Sequence, residues 1–215
     1  MQKSVYSLVL MDDVVAQIDR AAFAQNTSRS NLINQILADY VSLVTPEKRM
    51  QEVFRQVENL LGVGEQFQVL LQPSDSMFSL RSSLAYKYNP NIRYSVELYK
   101  DRFPEIGELR VSLRSQNSTL MLYLLQFFKL FTRVEQAFIG ETDCAMEPNR
   151  YIRLLKLRRE QAPTSQALGE AIAAYINLFD ACLKDFFANL EQPDLGLQRM
   201  ERRYAAYMNT HNIIL

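Results

Sequence analysis

Histidine, cysteine and glycine are scarce in this chain, and each scarcity excludes something. Among 215 residues there is one histidine, His211, with no cysteine or carboxylate beside it at ligand spacing. That argues against a zinc or nickel centre built from His and Cys. Two cysteines, Cys144 and Cys182, cannot make a disulfide scaffold, and such usage suits a reducing compartment. Six glycines and seven prolines, scattered singly, leave no room for a low-complexity linker. There is no G-x-S-x-G elbow, no phosphate-binding P-loop and no G-x-G-x-x-G turn. With His211 the sole imidazole base, the chain reads as a protein that is not an enzyme, and no cofactor is expected. Long hydrophobic runs are also missing. The longest, residues 120–131, is interrupted by Gln126 and Lys129 and falls far short of the ~20 residues a bilayer helix needs. The apolar run after Lys3 meets Asp12 and Asp13 at once, which does not suit a signal peptide. A soluble cytoplasmic protein with no membrane partner is the expectation.

Charge of either sign is not in excess. Lys plus Arg number 24 and Asp plus Glu number 24, so the formal net charge is zero. This removes the inference of a strongly basic nucleic-acid binder while leaving room for a local one.

The first 45 residues are the most informative. Residues 4–10, SVYSLVL, alternate as a strand does, with Tyr6, Leu8 and Leu10 on one face and Val5, Ser7 and Val9 on the other. Asp12 and Asp13 open a helix, where early carboxylates complement the positive end of the dipole. Its stripe is Val14, Val15, Ile18, Ala21 and Ala22, and it breaks near Asn26, a residue at ease in the left-handed conformation that ends helices. Ser28 is placed to cap a second helix carrying Leu32, Ile33, Ile36, Leu37, Tyr40 and Val41. One strand and two helices cannot satisfy the strand's edges alone. A second copy, pairing its strand antiparallel across a two-fold axis, remedies this and gives a two-stranded ribbon that fits the major groove.

In these residues the segment resembles the ribbon-helix-helix family, the MetJ/Arc/CopG type of DNA-binding protein. The resemblance lies in SVYSLVL, DDVVAQIDRAAFAQ, the turn NTSRS and NLINQILADYV, and covers only about residues 3–44. It implies a homodimer on double-stranded DNA. The base-reading strand face falls on Lys3, Val5, Ser7 and Val9, and the phosphate contact on Ser28, Arg29 and Ser30. Free N–H groups and the helix dipole favour an anion at that second place, and Arg29 adds charge. Two departures are visible. Asn26 stands where the family usually has glycine, and two valines flank one serine where the family tends to read bases with polar residues. Valine meets a thymine methyl but reads no donor or acceptor. Residues 1–45 hold three basic and four acidic side chains, a balance of −1, which implies few phosphate contacts.

Residues 46–215 read as a separate α+β domain for effector sensing or further oligomerisation. Thr45 and Pro46 start a helix over residues 46–61. A four-stranded antiparallel meander over residues 66–115 follows, with turns at Pro73-Ser74-Asp75 and Asn89-Pro90-Asn91. Alternation directs Phe78, Leu80, Leu84, Tyr94, Val96, Leu98, Val111 and Leu113 inward. The other face collects Arg81, Ser83, Lys87, Arg93, Ser95, Arg110, Ser112 and Arg114. Such a face, with Arg81, Arg93, Arg110 and Arg114 at its centre, holds an anionic ligand or a DNA backbone, or is simply the solvated side of a sheet. Residues 118–211 read as helices. They include the nearly all-apolar run 120–139, a basic segment from Pro148 with Arg150, Arg153, Lys156, Arg158 and Arg159, and an amphipathic helix after Thr164 and Ser165. Pro193 ends that helix, and a last one carries Leu197, Met200, Tyr204 and Tyr207.

The expected function is that of a dimeric, sequence-specific transcriptional repressor or autorepressor, with a small molecule or a protein as effector. An antitoxin-like interaction protein and a DNA-partitioning protein are the alternatives.

Overall fold

The computed structural model describes residues 5–70, 74–100, 102–157, 163–211, 213 and 215. The chain divides into two compact units, Met1–Arg49 and Met50–Leu215.

The first unit is helical. Helix α1 spans Asp12–Ala24 and α2 spans Arg29–Tyr40, with two acidic residues in the first turn of α1. Asn26 adopts φ 51°, and Thr27 N–H donates to Ala22 O at 2.9 Å, which closes α1 as the sequence predicts. Ser28 Oγ accepts from Asn31 N–H at 3.2 Å and caps α2. Of the predicted strand over residues 4–10, Ser4 lies outside the described residues, and over residues 5–10 no strand is formed. Residues 5–11 carry no regular structure, so the described order begins with helices. The reason is physical: a strand exists only through hydrogen bonds to a neighbour, and a single chain supplies none here.

The second unit is α+β. Helix α3 (Pro46–Leu61) begins with Lys48 N–H donating to Thr45 Oγ1 at 3.2 Å, the predicted cap, and runs into this unit. Six strands follow: β1 (Phe67–Val69), β2 (Met77–Ser83), β3 (Asn91–Leu98), β4 (Glu105–Leu113), β5 (Cys144–Glu147) and β6 (Arg150–Lys156). They form one antiparallel sheet in the order β1-β2-β3-β4-β6-β5. The helices are α4 (Ser118–Ile139), α5 (Ser165–Ala188) and α6 (Pro193–Thr210). Asn117 and Thr164 cap α4 and α5, accepting from Leu120 N–H at 3.1 Å and Ala167 N–H at 3.2 Å.

Two expectations are corrected here. The sheet has six strands where the meander supplied four, and the basic segment after Pro148 is strand β6, not helix. Tyr151, Arg153, Leu155 and Leu157 are buried while the residues between them are not, a period of two that pairs β6 with β4. The charges had hidden that alternation, because Arg153 is itself an inward residue.

Helices α3, α4 and α5 bury their apolar stripes against one face of the sheet. All eight predicted inward residues of the meander are buried. Phe54 of α3 stacks on Phe78 at 5.6 Å between centroids. Phe179 of α5 lies at the centre, 4.6 Å from Phe131, 5.3 Å from Tyr151 and 6.2 Å from Tyr94. Each such ring removes enough apolar surface from water to contribute about 1.5–3 kcal/mol. Two buried carboxylates are satisfied within this core. Asp180 accepts from Tyr94 Oη and Gln66 Nε2, both at 2.8 Å, and pairs with Lys184 Nζ at 2.6 Å. Glu135 pairs with Arg153 Nε at 3.0 Å and accepts from Tyr175 Oη at 2.7 Å and Tyr204 Oη at 3.3 Å. Burial, and then the nearby carboxylate, push the Tyr94 and Tyr175 hydroxyls well above the usual tyrosine range, so both remain donors.

Among the described residues, no helix is long and apolar enough to cross a membrane.

Candidate nucleic-acid interface

The first unit presents its sequence-predicted residues as follows. Lys3 lies outside the described residues. Val5, Ser7 and Val9 are exposed, Val5 and Val9 at 101% and 102%, and Tyr6, Leu8 and Leu10 on the other face are exposed at 83%, 62% and 40%. Ser28, Arg29 and Ser30 are brought together at the start of α2. Two of them already have partners. The Ser28 hydroxyl caps the helix, and Arg29 is held bidentately by Asp19 of α1, with Nε to Oδ1 and Nη2 to Oδ2 both at 2.5 Å. The hydrogen bonds from Arg29, with its charge, hold the Asp19 carboxyl below the usual aspartate range, and the Arg29 pKa is raised in turn. An arriving phosphate must therefore compete with Asp19. The spacing of ten residues across a turn gives no local signal in the sequence, and the pairing became visible only once α1 and α2 were folded together.

The apolar stripe of this unit faces outward. Of α2's predicted stripe only Leu32 is buried. Tyr40 is 90% exposed, and Ile36, Leu37 and Val41 are exposed with it. Among the described residues, fourteen of the twenty exposed large apolar side chains lie in residues 5–44, less than a fifth of the chain. Single exposed apolar residues are ordinary, whereas so many within 40 residues of sequence is not.

In the second unit, the sheet face opposite the helices is ordered by register. One row across the strands reads Gln68, Arg81, Arg93, Ser112, Arg150 and Glu147. The next reads Ser79, Ser95, Arg110, Ile152 and Ala145, and a third places Met77, Glu97, Glu108 and Leu154 side by side. The face is thus basic at one end and acidic at the other. Arg110 is drawn to the acidic end, pairing with Glu97 at 2.9 Å and with Glu108. Arg81, Arg93, Arg114 and Arg150 are exposed, and among the described residues none of them has a carboxylate partner. Arg81 Nε donates to Gln68 Oε1 at 2.8 Å, and Arg93 Nη2 donates to Ser79 Oγ at 3.4 Å. Of the four arginines predicted for this face, three are therefore free of acidic partners and Arg110 is not. Arg150 joins the row unforeseen, because its segment read as helix.

The chain matches no family model, no curated protein and no solved structure.

Chemically the molecule offers no metal centre among its described residues. His211, the candidate base, stacks on Tyr207 at 4.8 Å, with Nδ1 beside the Thr210 hydroxyl at 2.9 Å and Tyr207 O at 3.1 Å. Both cysteines are free thiols, and burial pushes Cys182 up to about 12.

Proposed function

We propose that this chain is a dimeric, sequence-specific DNA-binding regulator, a repressor or autorepressor of the ribbon-helix-helix kind. Two copies pair their residues 4–10 antiparallel, and the shared ribbon enters the major groove with Val5, Ser7 and Val9 toward the bases. The starts of the two α2 helices, at Ser28 to Ser30, hold phosphates on either side. The observation that carries this reading is the concentration of exposed apolar side chains in residues 5–44, set beside an alternating segment with no strand to pair with. A two-fold copy remedies both at once: it supplies the missing ladder and covers Ile36, Leu37 and Tyr40. The folded second unit, with its continuous core, supports a domain that senses an effector or extends the assembly, and disfavours an antitoxin tail that folds only on its partner.

The test combines solution mass with selection of bound DNA from a random pool at fixed salt. The expected result is a species of twice 25.0 kDa and an enriched palindrome. Leu8→Asp is expected to give a monomer and lose the enrichment, whereas Ser7→Ala keeps the dimer and changes the preferred sequence. A wild-type monomer at micromolar concentration, or a dimer with no enriched sequence, would overturn the reading.

A further inference from the structure

The open face of the sheet holds two arginines in an arrangement that stability alone does not favour. Arg81 and Arg93 are register partners on neighbouring antiparallel strands, and like charges directly opposite one another destabilise a sheet. Carboxylates on the same face at Glu97 and Glu108 serve Arg110, and Glu147 stands opposite Arg150 as its register partner, which leaves Arg81 and Arg93 as the pair with no carboxylate opposite. Arg150 lies in the same row beyond Ser112, and Arg114 follows the end of β4 at the same basic edge. Uncompensated cations held side by side on a rigid scaffold are an electrostatic footprint for an anion.

The shape of the row says which kind of anion. The arginines do not converge on a cavity. They stand in a line across β2, β3 and β6, and three inter-strand spacings separate Arg81 from Arg150, roughly 14 Å of backbone. A single phosphate or carboxylate could meet only one or two of them, whereas 14 Å of duplex axis spans about four phosphates of each strand. Serine hydroxyls at Ser83 and Ser112 lie between and beside the cations and suit phosphate oxygens. Nucleic acid in single strands is held by stacking bases on aromatic side chains. The three register rows of this face contain no aromatic residue, and its apolar members are Met77, Ala145, Ile152 and Leu154. The ligand is therefore grasped by its backbone and not by its bases.

We propose that the basic edge of the sheet, Arg81, Arg93 and Arg150 with Arg114, is a second nucleic-acid contact that binds the phosphate backbone of a duplex without regard to sequence. It is independent of the N-terminal ribbon, which reads bases.

The test measures binding of the full chain to a random-sequence duplex of 30 base pairs across a salt series, with the single strand dT30 as a second probe. R81A/R93A removes two cations, and R81K/R93K keeps them. The expected result for R81A/R93A is a salt slope shallower by roughly two and affinity lower by roughly tenfold at 0.1 M salt. R81K/R93K is expected to keep most of the slope, and both variants to keep the wild-type solution mass. Any sequence preference set by the ribbon remains, as a ratio of specific to random binding. An unchanged slope in R81A/R93A overturns the proposal, and so does a loss confined to dT30. Failure of the ribbon reading looks different: no palindrome is enriched, while random-duplex binding persists in the wild type and falls in R81A/R93A.

Discussion

The bidentate ion pair between Arg29 and Asp19 occupies the guanidinium that the proposed phosphate contact at the start of α2 would use. Both side chains are about half exposed, so the pair contributes little to stability and is screened by salt. Under the proposed function its effect on binding is larger, because a phosphate would have to displace or share the guanidinium. Asp19→Asn is expected to raise duplex affinity several-fold for all sequences alike, and Arg29→Ala to lower it, both measured by titration at physiological salt. The protonation of Asp19 gives a second readout. Its carboxyl is held below its ordinary value by Arg29, so the pair is fully formed above the ordinary aspartate pKa of about 3.9. It is lost only as pH falls through the lowered folded value. In Arg29→Ala the Asp19 midpoint followed by NMR should rise toward about 3.9. A midpoint that stays low would mean that something other than Arg29 holds the charge.

At the scale of elements, the Glu135 cluster ties four of them together. Glu135 on α4 is fully buried and meets Arg153 of β6, Tyr175 of α5 and Tyr204 of α6. Arg153 Nη2 also donates to Leu215 O at 3.2 Å. A buried pair of this kind adds little against apolar replacements, but losing one partner leaves the other charge stranded. Glu135→Gln is therefore expected to cost about 3–5 kcal/mol in urea unfolding. The double variant Glu135→Gln with Arg153→Met should lose clearly less than the sum of the two single changes. Additive losses would show that the two side chains do not act as a pair. The β3–β4 pairing has a narrower tolerance at Gly107. An added Cβ would stand 2.1 Å from Glu97 O, too close for any side chain, next to the register shift at Glu105/Gly107. Helix boundaries were legible because caps are local chemistry: Asn26, Ser28, Thr45 and Thr164 all act within five residues of themselves. Strand β6 was not legible, since its pairing with β4 depends on residues about forty to fifty positions away.

For the whole molecule, the two units differ in where their apolar surface goes. Residues 50–215 bury one continuous core, from Phe54 and Phe78 to Phe179 and Tyr204. Residues 5–44 bury only Ala22, Leu32 and Ala38 among their apolar side chains. A unit with so small a core gains its stability from whatever covers it, and coverage by a second copy makes that stability depend on concentration. Thermal unfolding is expected to show two transitions, with the lower one moving up as protein concentration rises and the upper one fixed. Coincident transitions that ignore concentration would argue that the N-terminal unit needs no second copy.

The amino-acid order by itself determined the helices with their caps, the alternation of the central strands, and which face of β2, β3 and β4 is apolar. These follow from hydrogen bonds and periodicities that span a few residues. Only the tertiary structure decided that Arg150 joins Arg81 and Arg93 in one row, that Asp19 holds Arg29, and that Glu135 and Arg153 neutralise one another inside the core. Each of those depends on distances between segments remote along the chain, and Coulomb interactions act through space, whatever the separation in sequence.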